Sequence, residues 1–166
     1  MNRLWAPWRI PYLKGPREAG CIFCDKPRES RDRENLILHR GREVFVIMNL
    51  YPYSNGHVMI VPYEHTDTLD PFTPPVVAET FELIRHVQKI LIRIMKPQGF
   101  NIGINMGKPA GAGIDEHIHL HVVPRWAGDT NFMPVLGDVR VISEHIEDTY
   151  RQMKPFFEDF SRIDAD

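Results

Sequence analysis

Glu116-His117-Ile118-His119-Leu120-His121-Val122-Val123-Pro124-Arg125 is the stretch from which the fold can be worked out. Three histidines alternate with aliphatic residues, and strict period-two alternation predicts a strand with one buried face. Ile118, Leu120 and Val122 then point into a core. His117, His119 and His121 stand in a row on the opposite face, roughly 6.6–6.8 Å apart at strand rise. Three of the chain's eight histidines fall in these five residues. A purification tag would not sit between hydrophobic partners, and a merely polar strand face is better served by Thr, Lys or Glu. A row of imidazoles points to metal ligation, nucleophilic catalysis, or both.

The 166-residue chain is long enough to bury a core as one domain. Hydrophobic residues make up 43% and charged residues 25%, ordinary for a globular protein. A net charge of −2 makes no broad electrostatic case for nucleic acid or a membrane surface. No apolar run approaches the ~18 residues that span a bilayer. The opening residues, Met-Asn-Arg-Leu-Trp-Ala-Pro-Trp-Arg, lack the pattern of a signal peptide. A cytoplasmic location is the expectation, with Cys21 and Cys24 reduced.

Residues 3–13 are aromatic, basic and broken by prolines, which suits an extended arm packed across another surface. Cys21-Ile22-Phe23-Cys24 is a lone Cys-x-x-Cys: half of a zinc site, a redox pair, or coincidence. A redox pair belongs at the start of a helix, whereas Asp25 to Ser30 reads as a polar loop. Zinc needs two more ligands, which histidine can supply.

Leu36-Ile37-Leu38 is a short candidate strand, and Val44 to Met48 a clear one. Asn49 to Gly56 is a loop ending in Asn-Gly. His57 to Pro62 is the returning strand, antiparallel to Val44–Met48. Prolines crowd Asp70 to Pro75, where a helix can begin. From Val76 to Met95, Val77, Phe81, Ile84, Val87, Leu91 and Met95 recur at helical spacing, giving about five turns. Lys96-Pro97-Gln98-Gly99 ends that helix. Phe100 to Met106 alternates as a strand, and Gly107 to Gly113 is a glycine-rich loop leading into the histidines. Trp126 to Phe132 is another loop. Glu144 to Phe160 is a terminal helix, bent or interrupted at Pro155. One mostly antiparallel sheet with a long helix across it defines an α+β domain.

His117-Ile118-His119-Leu120-His121-Val122-Val123 resembles the signature of the histidine triad family of nucleotide hydrolases and transferases. Asn49 followed by Gly56-His57-Val58, and Phe100 to Asn105, resemble that family's nucleoside-binding asparagine and neighbouring strands. The resemblance covers roughly residues 20–130, leaving 1–19 as an arm and 131–166 as a C-terminal loop and helix on a single domain. Leu4 to Arg9, Asn49 to Tyr53 and Pro124 to Phe132 are similar to the bacterial branch that phosphorolyses diadenosine tetraphosphate.

The resemblance implies that His119 attacks the α-phosphorus and carries a nucleotidyl group that a second nucleophile removes. Its other ring nitrogen should be tied to an acceptor, and His121 should contact a phosphate oxygen or assist the leaving group. Asn49, His57, Asn105 and His121 are the implied substrate contacts, with Gly111, Ala112 and Gly113 offering backbone N–H groups to phosphate. Relatives with an N-terminal Cys-x-x-Cys hold a structural zinc ion on positions filled here by Cys21, Cys24, His65 and His117, a closed set with no position left for substrate. Many hydrolases of the family have Gln where this chain has Gly113. The bare position favours inorganic phosphate over water as acceptor, giving ADP and ATP. A hydrolase releasing AMP and a low-turnover nucleotide-binding module are the alternatives. Relatives usually pair as homodimers.

Overall fold

The computed structural model describes residues 20–129 and 144–160. The arm, the end of the Trp126–Phe132 loop and the stretch up to residue 143 lie outside the described residues. In chain order the elements are α1 (Ile22–Asp25), β1 (Ile37–Arg40), β2 (Val44–Met48), β3 (Val58–Pro62), α2 (Pro74–Met95), β4 (Gly99–Ile104), β5 (Leu120–Arg125) and α3 (Ile146–Glu158).

The five strands form one sheet in the order β1-β2-β3-β5-β4, with every neighbouring pair antiparallel. This is the expected α+β architecture. β2 and β3 pair from Val44↔Pro62 to Met48↔Val58. β5 lies between β3 and β4, so His121 faces Met59 on one side and Gly103 on the other.

One face of the sheet packs under α2 and α3, where Val46, Ile60 and Val122 meet Val87, Leu91 and Met153. Pro74 and Pro75 open α2 because they have no N–H to leave orphaned in the first turn. The helix starts two residues before the sequence reading, and its buried residues are Val76, Thr80, Leu83, Ile84, Val87, Ile90 and Leu91. Val77 and Phe81 face outward, at 41% and 60% exposure. Apolar residues cover more than half of this helix's circumference, so periodicity alone left its phase ambiguous. At its other end Gly56, at φ +73°, passes so close that a Cβ would lie 2.7 Å from Leu91 and 2.9 Å from Met95. The turn before β3 therefore requires glycine.

α3 docks on β1 through the Tyr150 hydroxyl, which donates to the Ile37 carbonyl at 3.1 Å, and Lys154, which donates to Leu38 O at 3.0 Å. Pro155 does not interrupt α3, which runs to Glu158 with Asp159 N–H closing on Pro155 O.

The opposite face of the sheet is not open either. Phe23, Ile37, Phe45, Ile47 and Met59 form a second, smaller core. His117 and His119 precede β5, and the three triad rings are buried, at 1%, 5% and 8% exposure. Among the described residues, no helix is long and apolar enough to cross a membrane.

Candidate functional site

The Cys-x-x-Cys pair sits at the start of a helix after all, with Cys21 as the N-cap of the single turn α1. That turn brings both sulfurs to His65, just beyond β3, and to His117, just before β5. Cys21 Sγ lies 3.2 Å and Cys24 Sγ 3.6 Å from His117 Nδ1. Cys24 Sγ lies 3.3 Å from His65 Nδ1, and the two Nδ1 atoms are 3.3 Å apart. The four donor atoms all fall within 4.8 Å of one another. Tetrahedral zinc at ordinary bond lengths needs edges of about 3.3 Å between nitrogens and about 3.5 Å between nitrogen and sulfur. The observed separations match these, so the four residues can hold a metal ion. Burial and the neighbouring Cys21 thiol raise the Cys24 pKa to about 11.

Hydrogen bonds assign a tautomer to each histidine of the row. His117 Nε2 is 2.9 Å from the Pro62 carbonyl, which can only accept. The ring proton is therefore on Nε2, and Nδ1 offers its lone pair to the metal cluster. His119 is the reverse: Nδ1 donates to the His117 carbonyl at 2.9 Å, leaving the lone pair on Nε2. Burial lowers the His119 pKa, opposed by that backbone bond, so the neutral ring is favoured. Phe23 supplies part of the dry wall, with its ring 4.9 Å from His119 and 5.5 Å from His117.

His121 is set by a relay. The Tyr53 N–H donates to His57 Nδ1 at 3.1 Å, so the His57 proton must be on Nε2. His57 Nε2 then donates to His121 Nδ1 at 2.9 Å, which places the His121 proton on Nε2. His57 is 1% exposed and reaches the site through His121. The row thus presents one lone pair, on His119, beside one N–H donor, on His121. The two rings meet edge to face at 4.8 Å.

Asn49 closes its loop by donating its own N–H to His57 O and accepting the Tyr51 N–H on Oδ1. Asn105 follows directly on β4. The glycine-rich loop contains a 3₁₀ turn, Lys108–Ala110, whose bonds consume expected donors. Gly111 N–H points to Lys108 O, while Ala110 and Ala112 N–H point to Gly107 O. Gly113 is the candidate cradle residue whose N–H has no partner among the described residues. Sequence reasoning missed Phe23 and the Pro62 carbonyl, since neither carries a pattern of its own.

These features define a nucleotide-binding class of protein, and the chain belongs to the histidine triad family: the HIT domain matches residues 31–128. A protein of Mycobacterium tuberculosis named AP-4-A phosphorylase is 38% identical over 91% of this chain and 82% of its own length. Among solved structures, a zinc-bound histidine triad family protein from Mycobacterium smegmatis superposes with a TM-score of 0.67 at 26% identity, covering 86% of this chain and 96% of that one. A hypothetical histidine triad nucleotide-binding protein from Sulfolobus tokodaii has a TM-score of 0.66 at 24% identity, covering 86% of this chain and 95% of that one, and shares the fold.

Proposed function

We propose that the protein is a nucleotidyltransferase that cleaves dinucleoside polyphosphates, diadenosine tetraphosphate foremost, and passes the nucleotidyl group to inorganic phosphate. The observation that carries this reading is the opposed tautomer pair, a lone pair on His119 Nε2 beside a proton on His121 Nε2. The His119 lone pair forms a P–N bond to the α-phosphorus, and the bridging P–O bond breaks with its electrons going to the leaving ATP. The His121 N–H donates to that departing oxygen, where negative charge develops. His119 keeps its Nδ1 proton on the His117 carbonyl throughout, which lets that carbonyl stabilise the charged nucleotidyl-imidazole. Asn49, Asn105 and Gly113 bind the nucleoside and phosphates, and His57 positions His121.

Cys21, Cys24, His65 and His117 would hold zinc, which would supply a structural cross-link between the N-terminal turn and the histidine row. Phosphate as acceptor is supported by the missing side chain at Gly113 and by the likeness to the named phosphorylase. A homodimer is supported by the exposed stripe Val77, Phe81 and Ile92 on α2 and by Ile102 on the edge strand β4. At 100° per residue those three helix positions fall within a 60° sector.

The test is incubation with diadenosine tetraphosphate, with and without phosphate, followed by separation of products. ADP that appears only with phosphate supports the reading. AMP and ATP without phosphate dependence would make the protein a hydrolase, and no product would make it a binding module.

A further inference from the structure

The amide cradle expected of the glycine-rich loop is largely spent on the loop's own turn. Pro109 has no N–H, and those of Ala110, Gly111 and Ala112 point back to Gly107 O or Lys108 O. Charge for a small anion must then come mainly from a side chain. From Gly99 through β4 and the loop, and along β5 as far as Pro124, Lys108 is the sole lysine or arginine. Arg125, next in line, is committed to Asp129 and Asn101. Lys108 Nζ instead lies 3.5 Å from Asp115 Oδ2 in an exposed pair, with the lysine side chain 68% accessible. Such a pair is weak and readily exchanged for a more highly charged partner. Asp115 is four residues before His119, which keeps its backbone within about 13 Å of the nucleophile's by chain length alone, and the ion pair keeps Lys108 beside that segment.

We infer that Lys108 recruits inorganic phosphate as the acceptor, and that Asp115 holds its ammonium group until the anion arrives. The inference rests on the phosphate-acceptor reading of the site and names the residue that selects phosphate over water. An oxygen of hydrogen phosphate forms the new P–O bond, the P–N bond breaks, and its electron pair returns to His119 Nε2. The phosphate's proton stays on the ADP product, and Lys108 contributes charge without exchanging a proton. A dinucleoside tetraphosphate has bases, riboses and a long phosphate chain to hold it. Free phosphate has little besides this cation, so its binding depends on Lys108 far more strongly.

The test is steady-state kinetics of Lys108→Ala, Lys108→Arg and Asp115→Asn, varying phosphate and diadenosine tetraphosphate separately and measuring ADP and AMP. Lys108→Ala raises the KM for phosphate roughly ten- to hundredfold, the range for one lost charged hydrogen bond. It changes the tetraphosphate KM by less than about threefold, a far smaller factor, and shifts product from ADP towards AMP. Lys108→Arg restores most of the phosphate affinity, and Asp115→Asn lowers the phosphate KM. Wild-type ADP formation with an unchanged phosphate KM in Lys108→Ala overturns this inference alone, as does an equal change in both KM values. Wild-type protein that yields AMP and never ADP overturns the phosphate-acceptor reading and this inference with it.

Discussion

Replacing His57 with Phe keeps an aromatic ring beside Tyr53, whose ring centroid lies 4.7 Å away, and removes both nitrogens. Two polar groups then lose a partner: the Tyr53 N–H and His121 Nδ1. Only the His121 ring is buried, and a buried group that loses its partner costs about 1–3 kcal/mol, so a stability loss of that order is expected from urea unfolding. The kinetic effect has a different signature. Without the His57 donor, nothing in the relay holds the His121 proton on Nε2, and donation to the departing oxygen is weakened. Positioned acid catalysis contributes typically about 10²–10⁴-fold, so a loss near a hundredfold in turnover of diadenosine tetraphosphate is expected.

A leaving group that departs without a proton separates this effect from general damage. Adenosine 5′-(4-nitrophenyl) phosphate releases a stabilised phenolate, whose absorbance reports nucleotidyl-enzyme formation directly. His57→Phe should slow that release only severalfold, because attack by His119 is intact. An equal loss with both substrates would refute the relay, and so would undiminished turnover of the tetraphosphate.

Four further outcomes follow from the geometry. Burial depresses the pKa of His119 and His39, so the unfolded chain takes up protons first as pH falls. Their contribution to stability is complete above the ordinary histidine value near ~6.5 and is lost as pH drops through it, so urea midpoints should fall between pH 7.5 and 5.5; a flat profile contradicts this. The acid limb of kcat/KM should likewise lie below that value. Protein purified without chelator should carry one zinc per chain by elemental analysis. Stripping it should cost about 3 kcal/mol relative to a hundredfold excess of free zinc over its Kd, read as a lower Tm. Cys24→Ser should be metal-poor, and an unaltered melt after chelation would refute the site. Gly56→Ala combines a left-handed φ with contacts under 3 Å and should destabilise by about 2–4 kcal/mol, whereas Gly111→Ala, left-handed but facing open space, should cost about 1–2. Equal effects in denaturant unfolding would contradict the packing at Gly56.

Alternation was enough to separate Leu120 and Val122 from His121, because a strand has a period that leaves two faces and no third option. The phase of α2 was harder. Val76 beside Val77 and Ile90 beside Leu91 and Ile92 leave several apolar stripes to choose from, and the sheet selects among them. The His57–His121 bond joins residues 64 apart in sequence and becomes visible only when β3 and β5 pair. The tautomers of His117 and His121 are likewise beyond a sequence, since the Pro62 carbonyl and the His57 ring come from elsewhere, whereas that of His119 is set by the carbonyl two residues before it. Gly111 and Ala112 look like ready donors until the 3₁₀ turn shows where their amides point. The metal cluster was the exception. Cys-x-x-Cys and the first triad histidine bear recognisable spacing, and the fold had only to bring His65 to them.

Phe23 ties the wall of the nucleophile to the same single turn that carries both cysteines. Cys21 meets His117 across 96 residues of chain, among the longest separations a protein of this size can close. Contacts of that span form late, after the loop entropy between them has been overcome. During synthesis, α1 emerges long before β5 exists, and His119 cannot be dehydrated until the two meet. A chain that ends before residue 117 therefore lacks His119 altogether, and the wall that Phe23 gives that imidazole waits on the closure of this contact.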